Sequence, residues 1–321
     1  MAQRPPVVVA VVSWNTRERL AACLRSLAPD VEAGRAEVWV IDNASRDGSA
    51  AMVRSDFAWA RLIESSQNLG FGAAVNRVAQ EAGSRFLAAA NADVELAPGA
   101  LAALLDTAER HAGAGIVAPR LLLPDGSTQH SVHGFPTLRA SLVLNLGLHR
   151  LVPALGDRLC LVGAWDPDRP REVDWAVGAL LLVRREAWEA AGGFDPGQWM
   201  YAEDLDLGWR AARAGWSTRY EPAARVVHHE SAATDQAWGA ERIDRAQAST
   251  YAWMLRRRGV IATRACAIVS VVGATARLAL FAPLARLRPG RFGRSRDESR
   301  AWMRRHRAGL ARREHLPGGV E

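Results

Sequence analysis

The chain contains no lysine; all 41 of its basic residues are arginine. A Walker phosphate loop needs its lysine, so a P-loop nucleotide hydrolase is excluded. No Gly-x-Gly-x-x-Gly is present either. Gly70-Phe71-Gly72 lacks the third glycine at the required spacing, which argues against a nicotinamide-dependent dehydrogenase. Cysteine is scarce: Cys23, Cys160 and Cys266 are odd in number and far apart. That pattern suits neither a zinc site nor a disulfide framework, and points to a reducing compartment. Long apolar runs are missing too. Val7–Val12 is too short for a signal-peptide core, and no small-residue cleavage site follows it. Ala265–Ala276, between Arg264 and Arg277, falls short of the roughly 20 residues that span a bilayer. There is no internal repeat and no low-complexity linker.

What is present is a packable chain. Of 321 residues, 49% are hydrophobic, too many for disorder and enough for one large domain with an appendage or for two domains. The net charge of +7 suits nucleic acid, an anionic membrane or a phosphorylated substrate. The all-arginine usage fits a GC-rich coding bias and is not itself a binding device.

The first half alternates strand and helix. The pattern predicts strands at Val7–Val12, 38–41, Arg61–Glu64, Phe86–Ala90 and 116–118. Between them it predicts helices at Arg17–Leu27, Ser45–Arg54, Gly72–Ala82 and Pro98–His111. Such alternation implies a mostly parallel sheet in an α/β domain. Ligands of open α/β sheets sit beyond the C-terminal strand ends. Polar clusters stand there: Ser13-Trp14-Asn15, Asp42 to Gly48, and Asn91-Ala92-Asp93. Each alone reads as turn chemistry, but three at corresponding places outline a pocket.

Two clusters suggest chemistry. Asp93, at a strand end, can hold Mg2+ or Mn2+ with substrate phosphates filling the remaining positions. Such a metal offsets charge on a departing diphosphate. His228 and His229 follow another strand-like run, and either could join that metal; on its own a histidine pair is more often structural. The second cluster, Trp199 to Arg210, packs Glu203, Asp204 and Asp206 behind Trp199, Met200 and Tyr201. Carboxylates against apolar walls gain pKa and can serve as general bases. Acidic residues at a helix N-terminus are the plainer reading.

Beyond about residue 233 the character changes. A charged helix is predicted at Ala237–Arg258, then the apolar stretch, then an arginine-rich tail from Arg286 to Arg307. Apolar surface beside basic surface fits an anionic membrane face. A helical appendage packed on the core is the alternative. No nucleic-acid motif accompanies the tail, and aromatics are not regularly interleaved along it, so nucleic acid is not expected as a partner.

Taken together these motifs resemble the inverting family 2 glycosyltransferases of the GT-A fold, within them the rhamnosyltransferase-like branch that builds bacterial surface polysaccharides and cell wall. The resemblance runs from Val7 to about Ser231. It is carried by Val12-Ser13-Trp14-Asn15, Asp42 to Ser49, Asn68 to Gly72 with Asn76, Asn91-Ala92-Asp93, Asp174 to Ala179, Gly192 to Asp195 and the Glu203-Asp204 pair. It implies a GT-A domain over 1–232, Rossmann-like with flanking helices, and a helical, basic, membrane-associated region over 233–321. It implies that Asp204 is the base toward an acceptor hydroxyl, with Glu203 and Asp206 shaping the site and Arg210 orienting the carboxylates. Donor contacts would come from Ser13, Asn15, Asp42, Asn43, Ser45, Asp47, Asn68, Gly70, Phe71, Asn76, Asn91 and Gly178. Trp199 and Tyr201 would face the acceptor, and Asp93 and His228 would hold Mg2+ or Mn2+. Four positions depart from the pattern: Asn91 replaces the first metal-motif Asp, Ala92 stands where Pro is usual, His133 stands where Arg is common, and Trp199 replaces the usual Phe.

The implied activity moves rhamnose or a related deoxysugar from a nucleoside diphosphate, dTDP-rhamnose favoured, to a polyprenyl-linked saccharide or growing glycan. The implied location is cytoplasmic, peripheral on the inner face of the cell membrane. A non-catalytic nucleotide-sugar or glycan-binding subunit is the competing expectation; the intact Asp204 and Asp93 speak against it.

Overall fold

The computed structural model describes residues 5–229 and 241–311. The expected domain boundary at 232/233 and the expected helix start at Ala237 lie outside the described residues. The chain divides into two compact units. The first takes its residues from Met1–His133 and Asp166–Ala240, the second from Gly134–Trp165 and Glu241–Pro317. Residues 134–165, which the sequence pattern leaves inside the first domain, thus belong to the C-terminal unit.

In the first unit, β1 (Val7–Ser13), β2 (Ala36–Asp42), β3 (Arg61–Glu64) and β4 (Phe86–Asn91) pair in parallel, in the order β3-β2-β1-β4. The β-branched and alanine-rich runs of β1, β2 and β4 are buried on both faces, as a sheet covered by helices on each side requires, while the edge strand β3 exposes Arg61 and Glu64. The helix α1 (Arg17–Glu32) sets Leu20, Leu24 and Leu27 into the core, all fully buried. The helix α2 (Ser49–Asp56) starts four residues later than the pattern suggests. Gly48 there adopts a left-handed φ of 83°, and Asp47 accepts the Ser49 N–H at 3.0 Å. The turn residues 43–48 are thereby kept out of the helix and left as a loop above the sheet.

Two further helices follow in this half, α3 (Phe71–Glu81) and, after the short strand β5 (Val94–Leu96), α4 (Ala100–Arg110). The sheet continues with β6 (Ala114–Leu122). From the second half come β7 (Val132–His133), β8 (Arg171–Val173), β9 (Trp175–Ala176), β10 (Leu180–Arg184) and β11 (Ser217–His228). The strand β10 inserts antiparallel between β4 and β6, so the sheet is mixed; β6 and β11 pair in parallel, and β5 pairs antiparallel with β11. The pair β7–β9 forms a small separate ribbon. Two more helices belong to this unit, α8 (Arg185–Ala191) and α9 (Glu203–Arg213).

The second unit is helical. It holds α5 (Leu138–Asn145), α6 (Leu148–Leu151), α7 (Pro153–Arg158), α10 (Arg242–Leu287) and α11 (Pro289–Ala311). Gly259 leaves helical geometry at φ 80° and ψ 169°, so α10 is two helices, 242–258 and 260–287. The second of these packs through small residues. A methyl group on Gly273 would lie 2.4 Å from Asn145 Oδ1, and Ala267 and Ala274 are fully buried.

Candidate active site

Register brings the strand-end clusters to one level. Ser13 pairs with Asp42 across β1–β2, and Val12 pairs with Asn91 across β1–β4. Above them a loop network forms. Asp42 Oδ2 accepts the Ser45 N–H at 2.9 Å, and Ser45 Oγ accepts the Asn15 N–H at 2.9 Å. Asn15 Oδ1 accepts the Arg46 N–H at 2.8 Å, while Asp47 Oδ2 accepts the Arg17 N–H at 2.8 Å. Asn15, Ser45 and Asp47 therefore shape the pocket wall with the atoms that could have met a ligand directly. The Ser13 hydroxyl is buried against Thr16 Oγ1 at 3.1 Å. Two acceptors are left over: Asp42 Oδ1 and Asn43 Oδ1 are enclosed and take no hydrogen bond. Buried acceptors without donors are costly unless a ligand supplies the donors.

The donor-side segment is built around one glycine. Asn68 Oδ1 accepts the Gly70 N–H at 2.9 Å, and the Gly70 carbonyl accepts from Asn43 Nδ2 at 3.4 Å. Gly70 has φ 77° and ψ 172°, a region open essentially to glycine alone. A methyl there would also stand 2.5 Å from the Trp199 carbonyl and 2.9 Å from its indole. Trp199 thus covers Gly70, joining the donor side to the acidic segment. Phe71 packs edge-on against Phe194, centroids 5.6 Å apart. Asn76 binds both sides of the Phe194 peptide, donating from Nδ2 at 2.8 Å and accepting at Oδ1 at 2.9 Å. Asn76, expected as a donor contact, clamps the Gly192–Asp195 turn to α3.

The acidic segment enters α9 through two consecutive left-handed residues, Tyr201 (φ 61°) and Ala202 (φ 63°). For non-glycine residues this costs roughly 1–2 kcal/mol each. The buried Gln198 steadies the turn by donating from Nε2 to the Tyr201 carbonyl at 2.6 Å. Neither residue is glycine, so the sequence carries no signal for this turn. It leaves Glu203 and Asp204 in the first turn of α9. Asp204 Oδ2 accepts the Gly178 N–H at 2.9 Å, and Oδ1 accepts the Leu205 N–H at 2.7 Å. Burial raises the Asp204 pKa while these N–H donors oppose the rise. Glu203 is pushed up to about 8, first by burial and then by the charge on Asp204. Its Oε2 is enclosed without a hydrogen bond. Of the two, Asp204 alone has backbone N–H donors that favour its charged form, and Glu203 is the one held toward its protonated form.

Asp206 and Arg210 sit apart from that pair. Asp206 is fully buried and bound by Arg210 Nε at 2.7 Å, and Arg210 also donates to the Ala191 carbonyl. Arg210 therefore orients Asp206 and ties α9 to α8; no contact takes it to Glu203 or Asp204. Asn91 ends β4 with its N–H on the Ala179 carbonyl at 2.9 Å, next to Gly178. His133, on β7, stacks on Trp175 with centroids 4.5 Å apart and meets His130 at 4.4 Å. Burial, then His130, push its pKa down to about 3, so an uncharged ring occupies this position.

The β5–β11 pairing brings the metal candidates together. His228 lies opposite Val94, and its Nε2 is 3.5 Å from Asp93 Oδ1. His228 Nδ1 meets Gln129 Oε1 at 2.9 Å. In the neutral ring that bond puts the proton on Nδ1 and turns the Nε2 lone pair toward the carboxylate. A lone pair facing a carboxylate at this range suits a cation between them, so the donor set fits a divalent ion. Strand alternation sends His229 the other way, to Glu95 Oε1 at 2.6 Å. Among the described residues no third His, Cys, Asp or Glu joins the pair, as expected of a site completed by phosphate oxygens.

The profile of glycosyl transferase family 2 matches residues 8–149, and that of glycosyl transferase family group 2 matches residues 169–289. An N-acetylglucosaminyl-diphospho-decaprenol L-rhamnosyltransferase of Mycobacterium tuberculosis is 34% identical over 241 residues, covering 70% of this chain and 76% of that protein. Among solved structures, the mannosyltransferase PcManGT from Pyrobaculum calidifontis, in complex with GDP-Man and Mn2+, aligns with a TM-score of 0.56 at 19% identity. That alignment covers 97% of this chain and 86% of PcManGT. GalNAc-T7 with UDP, GalNAc and Mn2+ aligns with a TM-score of 0.53 at 16% identity, covering 71% of this chain and 44% of its own. The fold is GT-A, as the motif pattern implies.

Proposed function

The chain belongs to glycosyl transferase family 2 and is a glycosyltransferase, and from that premise we propose that it moves L-rhamnose from dTDP-rhamnose to a polyprenyl-diphosphate-linked saccharide. The named mycobacterial relative supports the sugar and the lipid-linked acceptor. The enclosed, donorless Asp42 Oδ1 and Asn43 Oδ1 support a nucleobase that brings an N–H, as a pyrimidine such as thymine does.

The observation that carries the mechanism is the split pair in α9. Asp204 is fixed by two backbone N–H groups that favour its charged form, and in this reading it takes the proton from the acceptor hydroxyl. The freed oxygen attacks the anomeric carbon in line, the bond to the diphosphate breaks, and configuration inverts. The transition state has oxocarbenium character, as in glycoside hydrolysis. Glu203, protonated, keeps a second charge away from Asp204. Asp93 and His228 would hold Mg2+ or Mn2+, which would supply positive charge toward the departing diphosphate. Trp199 and Tyr201 line the acceptor side of the same turn. The same reading sets the enzyme on the cytoplasmic face of the cell membrane, supported by the arginines of the C-terminal unit.

The test is nucleoside-diphosphate release from a panel of nucleotide sugars, with divalent metal and a polyprenyl-diphosphate-linked acceptor. Release from dTDP-rhamnose that requires both acceptor and metal is expected. Release from another donor alone would overturn the donor assignment. Donor binding without any turnover would favour a binding subunit.

A further inference from the structure

The C-terminal unit carries a surface that its own packing does not explain. Between Asp244 and Asp297 the sequence has no acidic residue, yet it has eleven arginines. Within that interval the helix 260–287 shows solvent a continuous uncharged stripe. Ile261 (88% exposed), Ile268, Val272 (61%) and Leu280 fall within about a third of the helix circumference at 100° per residue. Every exposed position from Gly259 to Pro283 is uncharged.

The two arginines inside this stretch do not interrupt the stripe, because both turn into the unit. Arg264 donates to the Gly309 carbonyl at 3.0 Å, and Arg277 to Asn145 Oδ1 at 3.2 Å. Thr275 satisfies its hydroxyl on the Val271 carbonyl at 2.8 Å. The short helices α5 to α7 add more exposed apolar tips, Leu146 (65%) and Leu151 (79%). At the stripe's C-terminal end stand Arg286, Arg288 and Arg291, exposed and without a carboxylate in ion-pair reach among the described residues. The triplet Arg256–Arg258 precedes its other end.

An apolar stripe about 29 Å long at 1.5 Å per residue, bounded by arginines at both ends, has the dimensions and charge of an interfacial helix. We propose that the C-terminal unit lies in the plane of an anionic bilayer leaflet, with the helix 260–287 and the leucine tips of α5–α7 set into the acyl boundary and the flanking arginines among the headgroups. The inference rests on the membrane reading above for its partner; it adds the surface, the residues and the orientation. An in-plane helix keeps both arginine groups at one headgroup layer. A spanning helix would place them in opposite leaflets and would draw Arg264 and Arg277 into hydrocarbon.

The experiment is vesicle flotation of the full chain, without nucleotide sugar or acceptor, on phosphatidylcholine vesicles with and without one-third phosphatidylglycerol. Wild type is expected to bind the anionic vesicles and to bind neutral ones at least about tenfold more weakly. The double variant Ile268→Glu/Val272→Glu should lose anionic-vesicle binding by at least about 100-fold. It should keep transfer to a short soluble acceptor, since neither residue belongs to the unit that carries the reaction site. Bimane labels on cysteines introduced one at a time at 261, 268, 272 and 280 should report equal, shallow depths against spin-labelled lipids. No wild-type binding, equal binding to neutral vesicles, or a double variant that binds like wild type would each overturn the proposal. Depths that peak at 272 would overturn the in-plane orientation. Because binding is read without substrates, failure of the transferase reading leaves this result untouched.

Discussion

Replacing Glu203 and Asp204 one at a time by their amides should give opposite results, although the two carboxyls are adjacent. Glu203 already carries a proton at neutral pH, its pKa pushed up to about 8 by burial and by Asp204. Glu203→Gln reproduces that neutral form, so turnover at pH 7 should stay within about tenfold of wild type, far below the loss from removing a general base. Asp204→Asn removes the base, which is typically worth ~10²–10⁴-fold, or about 3–5 kcal/mol of barrier. It also damages the site. The carboxylate accepts from Gly178 at 2.9 Å and from Leu205 at 2.7 Å. An amide must turn its NH2 toward one of those donors, leaving an N–H unpaired at a cost of roughly 1–3 kcal/mol in stability.

The pH dependence separates the two roles further. The folded protein holds a proton on Glu203 that the unfolded chain releases near the ordinary value of 4.5. Glu203 therefore makes stability fall as pH rises from that value to about 8, and Glu203→Gln should flatten the fall. The assay is initial-rate nucleoside-diphosphate release from pH 5 to 9, with thermal melts over the same range. Equal losses for the two amides at pH 7 would refute the division of labour. So would a Glu203→Gln variant whose melting temperature falls with pH as steeply as wild type.

Other substitutions probe the frame. Gly70→Ala forces a methyl into the Trp199 carbonyl and strains the backbone by about 1–3 kcal/mol; a lower melting temperature and weaker donor binding by calorimetry should appear together. Asp206→Ala strands Arg210 in the interior, and chemical denaturation should register a loss of about 3–5 kcal/mol. Gln129→Leu removes the group that orients His228 and should raise the Mn2+ concentration for half-activation ~10–100-fold. His229→Ala, whose ring faces Glu95, should leave that concentration unchanged.

How much of this was readable from residue order varies with the range of the forces involved. The strand Arg61–Glu64 coincides with its pattern, and β1, β2 and β4 extend theirs by a residue or two, because buried parallel strands are near-continuous apolar runs. The start of α2 was not readable from helical periodicity; a side-chain-to-backbone bond from Asp47 decides it. The strand β10 is as apolar as β4, but its antiparallel insertion depends on where the chain returns after 133. At the site, residue types located the acidic pair and the Asp93–His228 pair. They did not reveal that Asn15, Ser45, Asp47 and Asn76 are committed to backbone partners. Nor did they reveal Gln198, whose hydrogen bond to a left-handed turn has no local signature.

The interleaving of the two units has a consequence for how the protein can be taken apart. The chain enters the helical unit at Gly134, returns at Asp166, and enters it again at Glu241. Deleting everything after Arg258 would therefore not excise a module. It would strip away the helices that cover α5 and leave Val143 and Asn145 facing water, while α5 to α7 stay in the remaining chain. Such a truncation should yield a stickier protein, not a soluble one. Recombination by simple fusion at the C-terminus could not exchange this unit between enzymes either, since residues 134–165 of it are spelled in the middle of the other unit's sequence.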